Sequence, residues 1–331
     1  MENRIWIIAP CFYDVPSFLE LKKHAQSVLG AAYPKADIIN VLVDDTGGQD
    51  TAIGALAREE RLVIVQPPFN LGHQGALVFA LRRLSTFFND DDLVITIDSD
   101  GEDNPADLPA LLAPLLTAPD NLTLVSLAQR TKRKRSGIFN TMYFFFRIFF
   151  VTLTGKVVHN GNFMAYRGWF AKNVLFHPFF DYCYSSAVLA LSKSITFIPL
   201  ARENRYFGES KMTLISLISH GFRMLLPFSD RIAVRGVVAS TVLFLFSAAA
   251  GAYSIYLMYR ASPHAIFAIT LTLSAIGLLA LIMATSALLF NIFNQTLAIA
   301  LRDLTLHDGR LNCVKLNGLE LTDLEAKSFH I

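Results

Sequence analysis

The chain has 331 residues, 53% of them hydrophobic and 17% charged, with 29 basic against 27 acidic side chains and a formal net charge of +2. These proportions exclude a disordered polyelectrolyte and a dedicated nucleic-acid-binding chain, leave any basic function local, and point to membrane association. Cys11, Cys183 and Cys313 lie far apart without paired spacing, which excludes a disulfide framework and a zinc ribbon.

No basic head followed by an apolar stretch and a small-residue cleavage site opens the chain, so the N-terminal half is expected to stay in the cytoplasm. Short apolar runs follow at residues 5–9, 38–43, 62–65, 93–97 and 122–127, separated by helical stretches such as 17–30 and 75–88. The alternation predicts a mostly parallel α/β sheet whose ligands bind beyond the carboxyl ends of the strands. The polar residues after those runs are acidic. Asp14 follows the first, Asp44 and Asp45 end the second, and Asp98 and Asp100 end the fourth.

Carboxylates gathered at strand ends repel one another unless a cation or hydrogen-bond donors share the site. In an extended Asp98-Ser99-Asp100, one carboxylate can coordinate Mg²⁺ or Mn²⁺ while the other turns toward a ribose or a sugar, and Glu102 adds a further oxygen. A solvated turn is the alternative for such a triplet, and its place after an apolar strand weighs against that. No Gly-x-x-x-x-Gly-Lys-Ser/Thr loop occurs, and Gly-x-Gly-x-x-Gly does not follow the first strand, so neither a P-loop ATPase nor a dinucleotide dehydrogenase is expected.

Farther on, the basic run from Arg130 to Arg135, with Ser136, leads into an aromatic stretch at 142–153. Charge beside Tyr143, Phe144, Phe145, Phe146, Phe149 and Phe150 reads as an amphipathic segment in a membrane surface rather than as a base-stacking platform. The run is either a general anchor to anionic lipid or a specific lipid-phosphate site. Residues 236–259 and 265–301 carry no charge over 24 and 37 positions, each enough for a helix across a hydrocarbon layer about 30 Å thick. The link between them is so short that a hairpin is expected, with both outer ends on one face. Arg223, Arg231 and Arg235 before it and Arg302, Arg310 and Lys315 after it put that face in the cytoplasm. Two buried core helices covered by a partner are the alternative. Small residues at 248–252 further predict a homo-oligomer.

Several segments in order resemble glycosyltransferase family 2, of the GT-A fold, and within it the polyprenyl-phosphate group that includes dolichol-phosphate mannose synthases and undecaprenyl-phosphate glucosyltransferases. Ile8-Ala-Pro-Cys-Phe-Tyr-Asp14 is similar to the family's Pro-x-Tyr-Asn-Glu, Val43-Asp-Asp-Thr46 to Val-Asp-Asp-x-Ser, and Asn70-Leu-Gly-His-Gln-Gly-Ala76 to Asn-x-Gly-x-x-x-Ala. The segment 98–105 resembles Asp-x-Asp-Leu-Gln-x-Pro-Pro, and Arg205-Tyr-Phe-Gly-Glu-Ser-Lys211 resembles Arg-x-x-Gly-x-Ser-Lys.

The resemblance implies a GT-A, Rossmann-like catalytic domain over 1–211, juxtamembrane amphipathic helices over 212–234, two transmembrane helices within 235–301 (about 236–259 and 265–290), and a cytoplasmic tail over 302–331. Within that tail, 304–321 is expected as an interfacial helix or an oligomer contact. The resemblance further implies that Pro10, Phe12, Asp14, Asp44, Asp45, Gly72, His73 and Asp98 hold a UDP- or GDP-sugar. Asp98, Asp100 and Glu102 would hold the metal and diphosphate, with Arg205 and Lys211 on phosphate oxygens. Asp98, Asp100, Arg205 and Lys211 form the expected catalytic set, and Arg130, Arg135 and Ser136 the expected site for the phosphate of an undecaprenyl or dolichyl acceptor.

Two departures from the family pattern stand out. His159-Asn-Gly-Asn-Phe163 lacks an acidic residue found in relatives, though Asn160 and Asn162 can hydrogen-bond a sugar, and Gly101-Glu102 replaces Leu-Gln. The activity implied is inverting transfer to a polyprenyl phosphate at the cytoplasmic membrane face, with a catalytically inactive, membrane-anchored nucleotide-sugar binder or assembly partner as the alternative. A transporter is disfavoured, because two spans without an internal ionisable residue build no pathway.

Overall fold

The computed structural model describes residues 4–56, 61–130, 137–157, 161–207, 214–258, 263–307 and 314–317. The chain forms two compact units, Met1–Phe144 with Val158–Pro227 and Leu301–Ile331, and Phe145–Val157 with Phe228–Ala300.

In the first unit, β1 (Arg4–Cys11), α1 (Val15–Ala32), β2 (Asp37–Asp44), α2 (Thr51–Ala55), β3 (Leu62–Val65), α3 (Gly72–Arg83), β4 (Leu93–Thr96), α4 (Leu108–Thr117) and β5 (Leu124–Arg130) alternate along the chain. After α5 (Gly137–Thr154) come β6 (Met164–Arg167), α6 (Gly168–Asn173), α7 (Phe179–Tyr182), α8 (Tyr184–Leu191), β7 (Ser194–Leu200) and α9 (Leu214–Leu225). The second unit contains α10 (Ser229–Met258) and most of α11 (Pro263–His307), and β8 (Val314–Asn317) returns to the sheet.

The eight strands lie in the order β7-β5-β6-β4-β1-β2-β3-β8. Among the described strands, β6 and β8 oppose the rest: β6 is antiparallel to β4 and β5, and β8 to β3. All residues of β3 and β4 are buried, as are all but the first of β1 and β2, which is the near-continuous apolar pattern of strands covered on both faces. One cover is α1, which starts beside Pro16 and buries Phe18, Leu21, Ala25 and Leu29 at helical spacing. Another is α4, which buries Leu108, Leu111, Leu112 and Leu115.

Chain order reverses at β1. The path β1-β2-β3 runs to one side, while β4 returns to pair with the other side of β1. Such a switch point splays the flanking loops apart and opens a crevice beyond the carboxyl ends of the strands. Cys11 is in register with Asp44, and Ile8 with Thr96, so the ends of β1, β2 and β4 converge on that crevice.

The tail was expected as an interfacial helix or an oligomer contact over 304–321. Of that span, residues 304–307 continue α11, and Val314–Asn317 extends the sheet beside Leu62–Val65, where β3 offers an open edge that a strand satisfies with backbone hydrogen bonds. Residues 308–313 and 318–331 lie outside the described residues.

The apolar stretches Ile218–Tyr256 and Phe267–Asn294 are long enough to cross a membrane, and only 17% and 11% of their most apolar windows are buried. A Cβ at Gly277 would lie 3.1 Å from Ser247 Oγ, and that hydroxyl donates to the carbonyl of Leu273, so small side chains bring α10 and α11 together. Arg235 on α10 donates to the carbonyls of Val151 (3.2 Å) and Thr152 (2.7 Å), closing the C-terminal end of α5. Within α5, Phe145 and Phe149 are exposed and Phe150 is buried, as an amphipathic aromatic helix requires.

At the opposite end of the sheet from the crevice, buried Asp92 accepts from Arg4 Nη2 (3.0 Å), Trp6 Nε1 (3.1 Å) and the amide of Asn89 (2.9 Å). It ties the start of β1 to the start of β4. Asp92→Ala leaves those donors without an acceptor and is expected to destabilise the chain by about 3 kcal/mol. Denaturant unfolding in detergent checks this, and a loss below about 1 kcal/mol contradicts it.

Candidate active site

At the end of β2 the chain turns through an Asx arrangement. Thr46 donates to Asp44 Oδ1 through its amide (3.1 Å) and its hydroxyl (2.5 Å), and its Oγ1 accepts from the amides of Gln49 and Asp50. Asp44 Oδ1 is therefore engaged by its own loop. Asp45 reaches the next loop, accepting from the amide of Leu71 at 2.8 Å. Burial pushes its carboxyl above the ordinary value, against the amide of Leu71 and the nearby charge of His73.

Gly72 opens α3 with φ +72°, a left-handed conformation suited to glycine, and its amide donates to Asn70 Oδ1 at 2.8 Å. This turn presents His73, whose Nε2 lies 2.8 Å from Asp98 Oδ1. Partial desolvation of the ring favours its neutral form, but Asp98, Asp100 and Asp45 outweigh that and raise the pKa of His73.

Beyond β4, Ser99 donates to the carbonyl of Pro10 at 2.8 Å and ties the loop to β1. Asp100 Oδ1 accepts from the amide of Glu102 (3.0 Å), and Oδ2 lies 2.6 Å from Arg205 Nη2. Burial first, and then the charge of Asp98, raise the pKa of Asp100, while Arg205 and Arg202 oppose the rise. Glu102 is held between Arg202, on Oε2, and Arg205, whose Nε is 3.3 Å from Oε1. The segment after β7 is thus pinned to the β4 loop, a link that the amides of Glu203 and Tyr206 complete on the carbonyls of Glu102 and Asp100, both at 2.9 Å.

The structure accordingly brings Asp45, His73, Asp98, Asp100, Glu102 and Arg205 into one charged cluster and joins Pro10 to it. Asp14 accepts from Ser17 Oγ at 2.7 Å, and Phe12 and Tyr13 expose their rings just past β1. Arg130 ends β5, with its side chain outside the described residues. Arg135, Ser136, Asn160 and Lys211 also lie outside them.

Two residues enter the site that sequence reasoning missed. One is Arg202, three residues before Arg205, where the repeated arginine in Arg202-Glu-Asn-Arg205 was the available signal. The other is Gln74, one residue after His73, whose Nε2 donates to Asn162 Oδ1.

The expected metal ligands Asp98, Asp100 and Glu102 each lie against cationic or amide side chains of the chain itself. Asp98 lies beside His73 and Asn162, Asp100 beside Arg205, and Glu102 between Arg202 and Arg205. Among the described residues, no group of three or more His, Cys, Asp and Glu side chains is arranged to hold a metal. Here the arginines, with His73, offset the carboxylate charge.

Compared with known proteins, the chain matches the family described as Glycosyl transferase family 2 over residues 8–173. No curated protein matches it. Among solved structures it is similar to 4-diphosphocytidyl-2C-methyl-D-erythritol synthase, at 10% identity and a TM-score of 0.37, over 68% of this chain and 100% of that one. It is also similar to S. aureus TarS 1-349, at 13% identity and a TM-score of 0.38, over 72% of this chain and 65% of that one. Likenesses of this degree carry no functional information.

Gly101 sits between the two carboxylates with φ +84°, and a Cβ there would lie 2.6 Å from the ring of Tyr206. Gly101→Ala is expected to cost about 2 kcal/mol of stability in thermal or denaturant unfolding. Part of that cost is contact with the ring, so it should shrink in a Tyr206→Ala background. An undiminished cost there contradicts the steric account.

Proposed function

Because the chain belongs to glycosyl transferase family 2, we propose that it transfers a glycosyl group from a UDP- or GDP-sugar to a polyprenyl phosphate, undecaprenyl or dolichyl, with inversion at the anomeric carbon. That it is a glycosyltransferase follows from the family; the donor, acceptor and stereochemistry are our reading. The observation that carries it is a charged cluster at the β1/β4 switch point in a chain that also holds two long apolar helices. These helices would hold the enzyme in a bilayer, with the catalytic domain over 1–211 and the tail over 302–331 on the cytoplasmic side, and the acceptor would come from that bilayer.

The chemistry follows from the charges. Asp45 and Asp98 are acceptors for base N–H groups and ribose hydroxyls. Arg205 and Arg202, now on carboxylates, are forks that would exchange a carboxylate for diphosphate oxygens when donor enters. Lys211 would add a point charge, and Arg130, Arg135 and Ser136 would take the acceptor phosphate.

A lipid monophosphate oxygen is already anionic at neutral pH, so attack needs alignment more than a strong general base. The bond formed joins that oxygen to the anomeric carbon. The bond broken joins the anomeric carbon to the donor diphosphate, whose oxygen keeps the electron pair and is stabilised by the arginines. Enzymes of this family commonly use divalent metals. Asp98, Asp100 and Glu102 would be the residues to hold such an ion once the arginines turn to the diphosphate, where it would offset charge on the leaving group, and none of these steps passes through it.

The test supplies labelled UDP- and GDP-sugars to membranes containing the chain with undecaprenyl or dolichyl phosphate. Label is expected in the lipid fraction, with the anomer opposite to the donor's by NMR. Arg205→Ala should lower the rate by about 10²-fold or more. Absence of lipid product with every donor, or a product keeping the donor's configuration, overturns the reading. Donor binding without turnover would instead identify an inactive nucleotide-sugar binder.

A further inference from the structure

Asp98 is joined to α8 by two amide side chains that the steps above do not use. The backbone N–H of Ser185, in the first turn of α8, donates to Gln74 Oε1 at 3.1 Å, and Cys183 Sγ lies 3.6 Å from the same oxygen. A backbone N–H can only donate, so it fixes which end of the Gln74 amide faces α8. The NH₂ end must then face the other way, where it donates to Asn162 Oδ1. With its oxygen used, Asn162 must turn its own NH₂ outward, and Nδ2 lies 3.4 Å from Asp98 Oδ1.

The direction of each bond is thereby set by the one before it. Reversing either amide would place oxygen against oxygen. Asn162 is buried, and its backbone carbonyl accepts from Thr96 Oγ1 at 2.6 Å, which anchors the relay to β4 itself. His73 Nε2 completes the grip on Asp98 Oδ1 at 2.8 Å.

We propose that Gln74 is a positioning residue for donor binding: it transmits the fixed polarity of the Ser185 N–H through Asn162 to Asp98, and so sets the carboxylate's orientation toward the nucleotide. This rests on the reading of Asp98 as a donor contact. A competing structural role exists, because Gln74 also satisfies an N–H in the first turn of α8, where intrahelical partners are lacking.

Gln74→Glu separates the two. A glutamate still accepts from Ser185 and suits a helix N-terminus, so the cap survives, but it has no hydrogen to give to Asn162. The purified full-length chain in detergent is titrated with UDP and with GDP. Gln74→Glu is expected to keep the unfolding temperature within about 2 °C of wild type and to weaken nucleotide binding about tenfold.

In an Asn162→Ala background the same substitution should change binding less than about twofold, since the relay is already cut. Unchanged nucleotide affinity in Gln74→Glu overturns the proposal, as does a tenfold loss that persists with Asn162→Ala, because that would be direct charge repulsion. If wild type binds neither UDP nor GDP, the donor-site reading fails and this inference falls with it. Binding by wild type with equal binding by Gln74→Glu defeats the relay alone.

Discussion

Like charges brought together at the end of a sheet must be compensated, and the first unit is organised around that requirement. Asp45, Asp98, Asp100 and Glu102 converge where chain order reverses, and burial raises the carboxyl pKa of both Asp45 and Asp100. The opposing charges come from distant parts of the chain: His73 from the start of α3, and Arg202 and Arg205 from the segment after β7. Without those cations the β4 loop would carry uncompensated charge in a half-buried crevice, at a cost well beyond that of a surface ion pair. The same cations are what a diphosphate would recruit, so one set of charges serves both the resting structure and, in our reading, the donor.

The second unit follows a different rule. Its helices α10 and α11 leave many large apolar side chains exposed, among them Phe246, Leu278, Leu289 and Phe293. An exposed apolar surface of this length is stable in lipid and a liability in water. Several hydroxyls of these helices are satisfied locally, as where Ser254 and Thr272 donate to carbonyls four residues earlier. Such a surface gives a lipid acceptor a physical rationale that the sheet alone would not.

Most of the parallel sheet was legible in the sequence because its strands are buried on both faces and therefore read as uninterrupted apolar runs. The runs at 5–9, 38–43, 62–65 and 93–97 fall within one or two residues of β1 to β4. The antiparallel strands were not legible. Met164–Arg167 is four residues ending in arginine, and it is a strand because β4 and β5 offer it a slot. Val314–Asn317 owes its form to the open edge of β3. Of the site, the acidic residues could be found by their position after strands. Their partners could not, since no local pattern shows that Arg202 will meet Glu102, 100 positions earlier, or that Gln74 will meet Asn162, 88 positions later. The expectation of a metal at Asp98, Asp100 and Glu102 came from their charge alone, and sequence could not show that Arg202, Arg205 and His73 lie beside the same carboxylates.

In our reading, the β4 loop and the segment after β7 together receive the nucleotide. Hydrogen–deuterium exchange of the full-length chain in detergent, with and without UDP or GDP, tests it directly. The account predicts that peptides covering 97–103 and 201–207 become protected together on nucleotide addition. Protection of neither segment, or of other segments alone, would contradict it.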